Sequence, residues 1–137
     1  LSGDEKEYPF YLNSYGTMML DPITGANTPW LLESFGSHVT NNWDSWVEIN
    51  PETAHSLGIK NGAQVWIESP KGKIKVKVKI FNGALHNVVN IPVGFGHKGW
   101  GRWAGRGVNP YAIIVSDMDY LGGTPAVGNT RVKVIRA

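Results

Sequence analysis

The feature that most constrains this chain is the run KIKVKVKI at residues 73–80, where Lys73, Lys75, Lys77 and Lys79 alternate with Ile74, Val76, Val78 and Ile80. Period two over eight residues puts the cations on one side of a strand and the aliphatics on the other, so the segment is a half-buried β-strand. PKGK at 70–73 makes a tight turn before it, and QVWIES at 64–69 forms the strand leading into that turn, with Val65 and Ile67 on one face. The pattern repeats along the chain. YPFYLNSY (8–15), SWVEI (45–49), VVNIPV (88–93), YAIIV (111–115) and RVKVI (131–135) all read as strands. One helix is signalled by NPETAHSLG at 50–58: Asn50 is a good N-cap, Pro51 suits the first helical position, Ala54 and Leu57 face inward, and Gly58 stops it. Residues 30–35 (WLLESF) fit one further helical turn. Short, evenly spaced strands of this kind close into a barrel, so the fold class is mainly β with one or two short helices.

With 137 residues there is enough chain for one domain and one sizeable core. Residues 8–137 read as that domain and 1–7 as a linker or disordered start. Cysteine is absent, which excludes disulfides, thiolate nucleophiles, Cys-ligated zinc and iron–sulfur ligands in these residues. The apolar stretches are too short to cross a bilayer as a helix, and no basic segment followed by an apolar run marks a signal peptide. The chain opens LSGDEKEYPF without an initiating Met and reads as a processed or excised piece. Its net charge of +2 divides unevenly: residues 1–69 set two lysines against nine acids (−7), and residues 70–137 set eleven bases against Asp117 and Asp119 (+9). The second half therefore either approaches an anion or simply neutralises the first half of the same barrel.

The densest chemistry lies in GFGHKGWGRWAGRGVNP, which places six glycines between Gly94 and Gly107. Such a loop lets backbone N–H groups approach a ligand closely. Lys98, Arg102 and Arg106 offer donors to phosphate oxygens, Trp100 and Trp103 offer flat faces, and Asn109 carries a donor and an acceptor suited to a ring edge. These are the parts of a site for a large, flat, phosphorylated ligand. Gly94, Gly96 and Gly99 also spell G-x-G-x-x-G, but the residues after them make a poor helix and no βαβ context surrounds them, so the Rossmann reading fails.

The segment from Asn13 to Trp30 gathers Ser14, Tyr15, Thr17, Thr24, Asn27 and Thr28 beyond a strand end, individually explicable as turn chemistry. The lysine row is read as a solvated strand face that guards against aggregation, because no aromatic interleaves on that face; no nucleic-acid partner is expected. His38, His55, His86 and His97 show no metal-ligand spacing; only His97 falls near the candidate ligand, and Asp117 and Asp119 read as turn braces. No nucleophile–base arrangement is visible, so no catalytic residue is expected.

The stretch WVEINPETAHSLGIKNGAQVWIESPKGKIKVKVKI resembles the molybdopterin-dinucleotide-binding domain, the C-terminal domain of the dimethyl-sulfoxide-reductase superfamily. The resemblance rests on Ile49-Asn50-Pro51, Ala54, Leu57-Gly58-Ile59, Asn61-Gly62, Val65, Ser69 and Gly72, with Ala63 where the family often has Asp. GHKGWGRWAGRGVNP and the closing TRVKVIRA are similar to the polysulfide- and thiosulfate-reductase-like branch. The resemblance implies a six-stranded double-psi β-barrel of the aspartate-decarboxylase-like type. It implies molybdopterin guanine dinucleotide, with molybdenum or tungsten in a parent enzyme, as the cofactor. It implies the remaining domains of that parent as partners, with iron–sulfur and membrane subunits beyond them, and a periplasmic or membrane-associated setting. By carry-over, Ser14, Tyr15, Thr17, Asn27 and Thr28 fall in one cofactor-contacting loop, and Gly96, His97 and Asn109 in the other; Arg102 and Arg106 are added on electrostatic grounds. A double-psi barrel used for protein interaction shares the G-I-x-N-G-x-x-V turn but leaves the glycine-rich loop without a purpose.

Overall fold

The computed structural model describes residues 2–17, 20, 25–34, 43–99, 101–102 and 105–137. Its strands are β1 (Phe10–Tyr15), β2 (Trp46–Ile49), β3 (Gln64–Ser69), β4 (Gly72–Ile80), β5 (Val88–Pro92) and β6 (Arg131–Arg136), and its α-helices α1 (Pro29–Ser34) and α2 (Pro51–Ser56). The six strands close in the order β1-β5-β2-β4-β3-β6. The pairs β1–β5 and β2–β4 are parallel and the others antiparallel, which is the double-psi arrangement.

Alternation decides which side chains fill the barrel. Leu12, Val47, Ile49, Val65, Ile67, Ile74, Val76, Val78, Val89, Ile91 and Val132 all point inward and are buried. On β4 the lysines take the opposite side, as the pattern requires. That face differs from expectation in one respect: cross-strand pairing sets Trp66 of β3 opposite Lys75, and Lys73 and Lys75 place their ammonium groups 4.9 and 5.7 Å from the indole centroid. The aromatic comes from the neighbouring strand, where the pattern of β4 alone cannot reveal it.

Helix α2 forms as its sequence dictates. The Asn50 side chain accepts from the Glu52 N–H at 2.9 Å, Pro51 leads, and Gly58 turns the chain out at a φ of 64°. The 111–115 segment is not a strand. Pro110–Ala112 form a 3-10 turn because Asn109 Oδ1 accepts from the Tyr111 N–H at 3.0 Å and Pro110 fixes the first position. Ile113 and Ile114 still reach the core, but side chains take the backbone bonds that a strand would use: Ser69 Oγ donates to the Ile113 carbonyl at 2.6 Å, and Lys71 Nζ to that of Ile114 at 2.8 Å. The apolar character of the segment serves burial, and local turn chemistry overrides the strand. Residues 2–7, expected as a linker start, are tied to the barrel: Ser2 bridges Thr130, and Glu5 lies 3.4 Å from Arg131.

Candidate functional site

Parallel pairing is what assembles the site. Because β1 and β5 run the same way, with Tyr15 beside Pro92, both strands leave the barrel at the same end. The Val93 N–H donates to the Tyr15 carbonyl at 2.9 Å just beyond the last pair. The chain after β1 and the chain after β5, far apart in sequence, therefore start side by side.

The glycine-rich segment begins by packing inward. Phe95 is buried and meets Trp46 edge-on, at 6.2 Å between centroids and 66° between planes, in a second small core with Leu20 and Leu32. The segment is then pinched at its neck. The Gly96 N–H donates to the Arg106 carbonyl at 2.8 Å, and Val108 N–H to Ser45 Oγ at 2.8 Å. Gly96 has φ of 73°, and a Cβ there would sit 2.5 Å from the Asn109 nitrogen, so only glycine fits. Beyond the neck, Lys98, Gly99, Gly101, Arg102, Gly105 and Arg106 are exposed. This part meets the first segment: a Cβ on Gly101 would stand 2.7 Å from Asn27 Oδ1.

Two polar atoms in these segments, Thr17 Oγ1 and His97 Nε2, are buried without a hydrogen-bond partner. Leaving a buried polar atom unsatisfied costs about 1–3 kcal/mol, so such atoms mark places where a ligand's polar groups belong. Together with the bare backbone and the cations, they fit a phosphorylated heterocycle.

The remaining expected residues divide in two. Ser14 is half-buried at the end of β1, and Thr28 opens α1, its carbonyl accepting from Leu31 and Leu32. Asn109 spends its Oδ1 on the cap of the 3-10 turn. Trp100, Trp103, Thr24 and His38 lie outside the described residues. Tyr15 does not stand free: its hydroxyl donates to Glu48 Oε1 at 3.0 Å, and burial, followed by the Glu48 charge, holds its pKa well above the ordinary tyrosine value. Glu48 is a buried carboxylate beside these segments that sequence reasoning misses. The available signal is its place beside Trp46 on the face of β2 opposite Val47 and Ile49, a face that reads as wet by alternation but on which Trp46 packs with Leu20, Leu32 and Phe95.

The family model described as "Molydopterin dinucleotide binding domain" matches residues 33–131. The molybdopterin-containing subunit of arsenate respiratory reductase from Shewanella sp. (strain ANA-3) is 31% identical over 143 residues, covering 96% of this chain and 16% of its own length. The thiosulfate reductase molybdopterin-containing subunit of Salmonella typhimurium is 36% identical over 62 residues, 45% of this chain and 8% of that protein. Acetylene hydratase from Pelobacter acetylenicus superposes with a TM-score of 0.70 at 22% identity, over 97% of this chain and 19% of that one, which fixes the fold. The chain thus spans less than a fifth of the length of these relatives. With the family model matching residues 33–131 and the arsenate reductase subunit aligned over 96% of the chain, this chain belongs to the molybdopterin-dinucleotide-binding domain family of the dimethyl-sulfoxide-reductase superfamily.

Proposed function

We propose that the two segments leaving β1 and β5 close over one molybdopterin guanine dinucleotide and hold it for the remaining domains of a larger molybdenum or tungsten oxidoreductase. The observation that carries this reading is the meeting of Gly101 with Asn27, together with the buried and unpartnered Thr17 Oγ1 and His97 Nε2 on the same two segments. Lys98, Arg102 and Arg106 are exposed on the glycine-rich segment and would supply the charge to neutralise a pyrophosphate, Arg with forked donors and Lys as a point charge. The exposed glycines add backbone N–H groups that can approach the phosphates closely. Thr17, Asn27 and His97 then read the ring edges, and Ser14, Tyr15 and Thr28 shape the first segment. When bound, the cofactor supplies the metal-centred redox chemistry. This chain's residues orient it and exclude water from it. Iron–sulfur and membrane subunits are further partners of the parent in this reading.

Guanosine diphosphate is the probe that tests it. Amides between 94 and 109 are expected to gain exchange protection on titration while the barrel strands stay unchanged; no ligand-dependent change in that segment overturns the reading. Single-stranded DNA, titrated in parallel at several salt concentrations, checks the Lys73–Trp66–Lys75 face, where a steep salt slope would favour nucleic acid instead. The chain alone is expected to turn over no redox dye, measured on a metal-free sample.

A further inference from the structure

We infer that Glu48 is a positioning residue for the dinucleotide site, its one buried carboxylate tying the segment after β1 to the segment after β5; the inference rests on the reading proposed above. In β2, Val47 and Ile49 fill the barrel, and Trp46 and Glu48 point the other way. On an ordinary barrel that outward face is wet. Here Trp46 is 1% exposed, packed with Leu20, Leu32 and Phe95 from the two excursions, and Glu48 is 9% exposed, enclosed by Tyr15, Trp46 and Lys79.

A carboxylate taken from water costs several kcal/mol unless it is paired and hydrogen-bonded. The partners of Glu48 come from three strands. Oε1 accepts from the Tyr15 hydroxyl at 3.0 Å and from Trp46 Nε1 at 3.1 Å, and Lys79 Nζ stands 3.8 Å away. Lys79 also lies 5.5 Å from the Trp46 ring centroid. Strand register continues the row: Glu48 faces Asn90 on β5, and Asn90 Oδ1 accepts from Asn13 Nδ2 at 2.9 Å.

Two of these partners lead directly to the candidate site. Tyr15 is the last residue of β1, two positions before Thr17. Trp46 is the platform on which Phe95 rests, next to Gly96 and His97. A single acceptor therefore fixes where both excursions leave the barrel. Hydrogen bonds to an ionised acceptor are about twice as strong as neutral ones, so charge matters here as well as shape. Tyr15, held neutral by burial and by that charge, remains a donor throughout the physiological range.

The test uses the full chain with Glu48→Gln, Tyr15→Phe and the pair combined, read by amide exchange and by guanosine diphosphate titration. In E48Q, exchange at the Gly96 and Thr28 N–H groups is expected to quicken about tenfold, and nucleotide affinity to weaken by a similar factor. The Val78 N–H, bonded to Ala63 within the barrel, is expected to exchange as in the unaltered chain. Tyr15→Phe added to E48Q should cost less than Tyr15→Phe alone, as residues sharing one contact do. The inference is overturned if neither segment loosens, or if Val78 quickens equally, since that would make Glu48 a support of the whole barrel. Should E48Q not fold, Tyr15→Phe leaves the carboxylate paired with Trp46 and Lys79 and must still raise exchange at Thr28. If the unaltered chain takes up no nucleotide, the cofactor reading fails alone, and the exchange data still decide whether Glu48 joins the two segments.

Discussion

The barrel has two outer faces that look alike in sequence and behave oppositely. Over β4 and β3 the outward residues are Lys73, Lys75 and Trp66, which meet solvent. Over β2 the outward residues are Trp46 and Glu48, which are buried. Both faces follow from strict alternation. What separates them is the length of chain that follows the parallel strands. The β3–β4 hairpin turns back after two residues, whereas the longer chain after β1 and after β5 contributes Leu20, Leu32 and Phe95 to a small core with Trp46 of β2. The site proposed above lies on the side where the parallel strands end.

The largest test of that contrast compares a barrel side chain with one in the excursion. Ile67 is fully buried between β4 and β6, and Ile67→Ala is expected to cost about 2–5 kcal/mol, lowering the urea midpoint of the whole chain. Gly96→Ala comes next. It forces a Cβ against the Asn109 nitrogen at positive φ, a local strain of about 1–3 kcal/mol. Its expected signature is faster exchange at Gly96 and Val108 and lost nucleotide binding, with the β3–β4 amides unaffected. Global unfolding by Gly96→Ala would mean that the excursion and the barrel are one cooperative unit.

The same contrast governs how much of the molecule is legible in its sequence. The β3–β4 hairpin is legible to within a residue, because Val65, Ile67 and the 73–80 alternation are local and the turn between them is short. Helix α2 is legible because Asn50, Pro51 and Gly58 act within a short stretch of chain. Segment 111–115 is legible only in part: the Asn109–Pro110 turn that displaces the strand is local, but the Ser69 and Lys71 bonds to its carbonyls come from more than forty residues away. The glycine-rich loop announces itself by composition, but its meeting with Asn27 depends on the parallel β1–β5 pair, which no local pattern encodes. Glu48 is hidden for the same reason: alternation assigns it to water.

Within a single strand the contrast sharpens further. Lys75 and Lys79 share β4 and its outward face, yet Lys79 approaches Glu48 and the Trp46 ring, with its side chain 21% exposed. Lys79→Met removes the countercharge of a buried carboxylate and is expected to cost about 1–3 kcal/mol in chemical denaturation. Lys75→Met gives up only an exposed contact with Trp66 and is expected to stay within about 0.5 kcal/mol. Equal costs would erase the distinction between the two faces.

The smallest effect concerns pH. Burial, then the charge of Glu48 and its hydrogen bond, raises the Tyr15 pKa above its unfolded value. A phenol whose folded pKa is raised contributes stability that is complete below the unfolded value of about 10 and is lost as pH climbs toward the folded one. Denaturant midpoints should therefore be level from about pH 8 to 9 and decline from about pH 10 to 11. Tyr8 is raised in the same direction, by burial and by Glu7, so Tyr15→Phe should lessen the decline without abolishing it. Because Tyr15 joins the excursion to β2, its alkaline loss should first appear as faster exchange at Thr28 and Gly96, ahead of Val78; simultaneous loosening of all three would place the phenol's contribution in the barrel and not at the site.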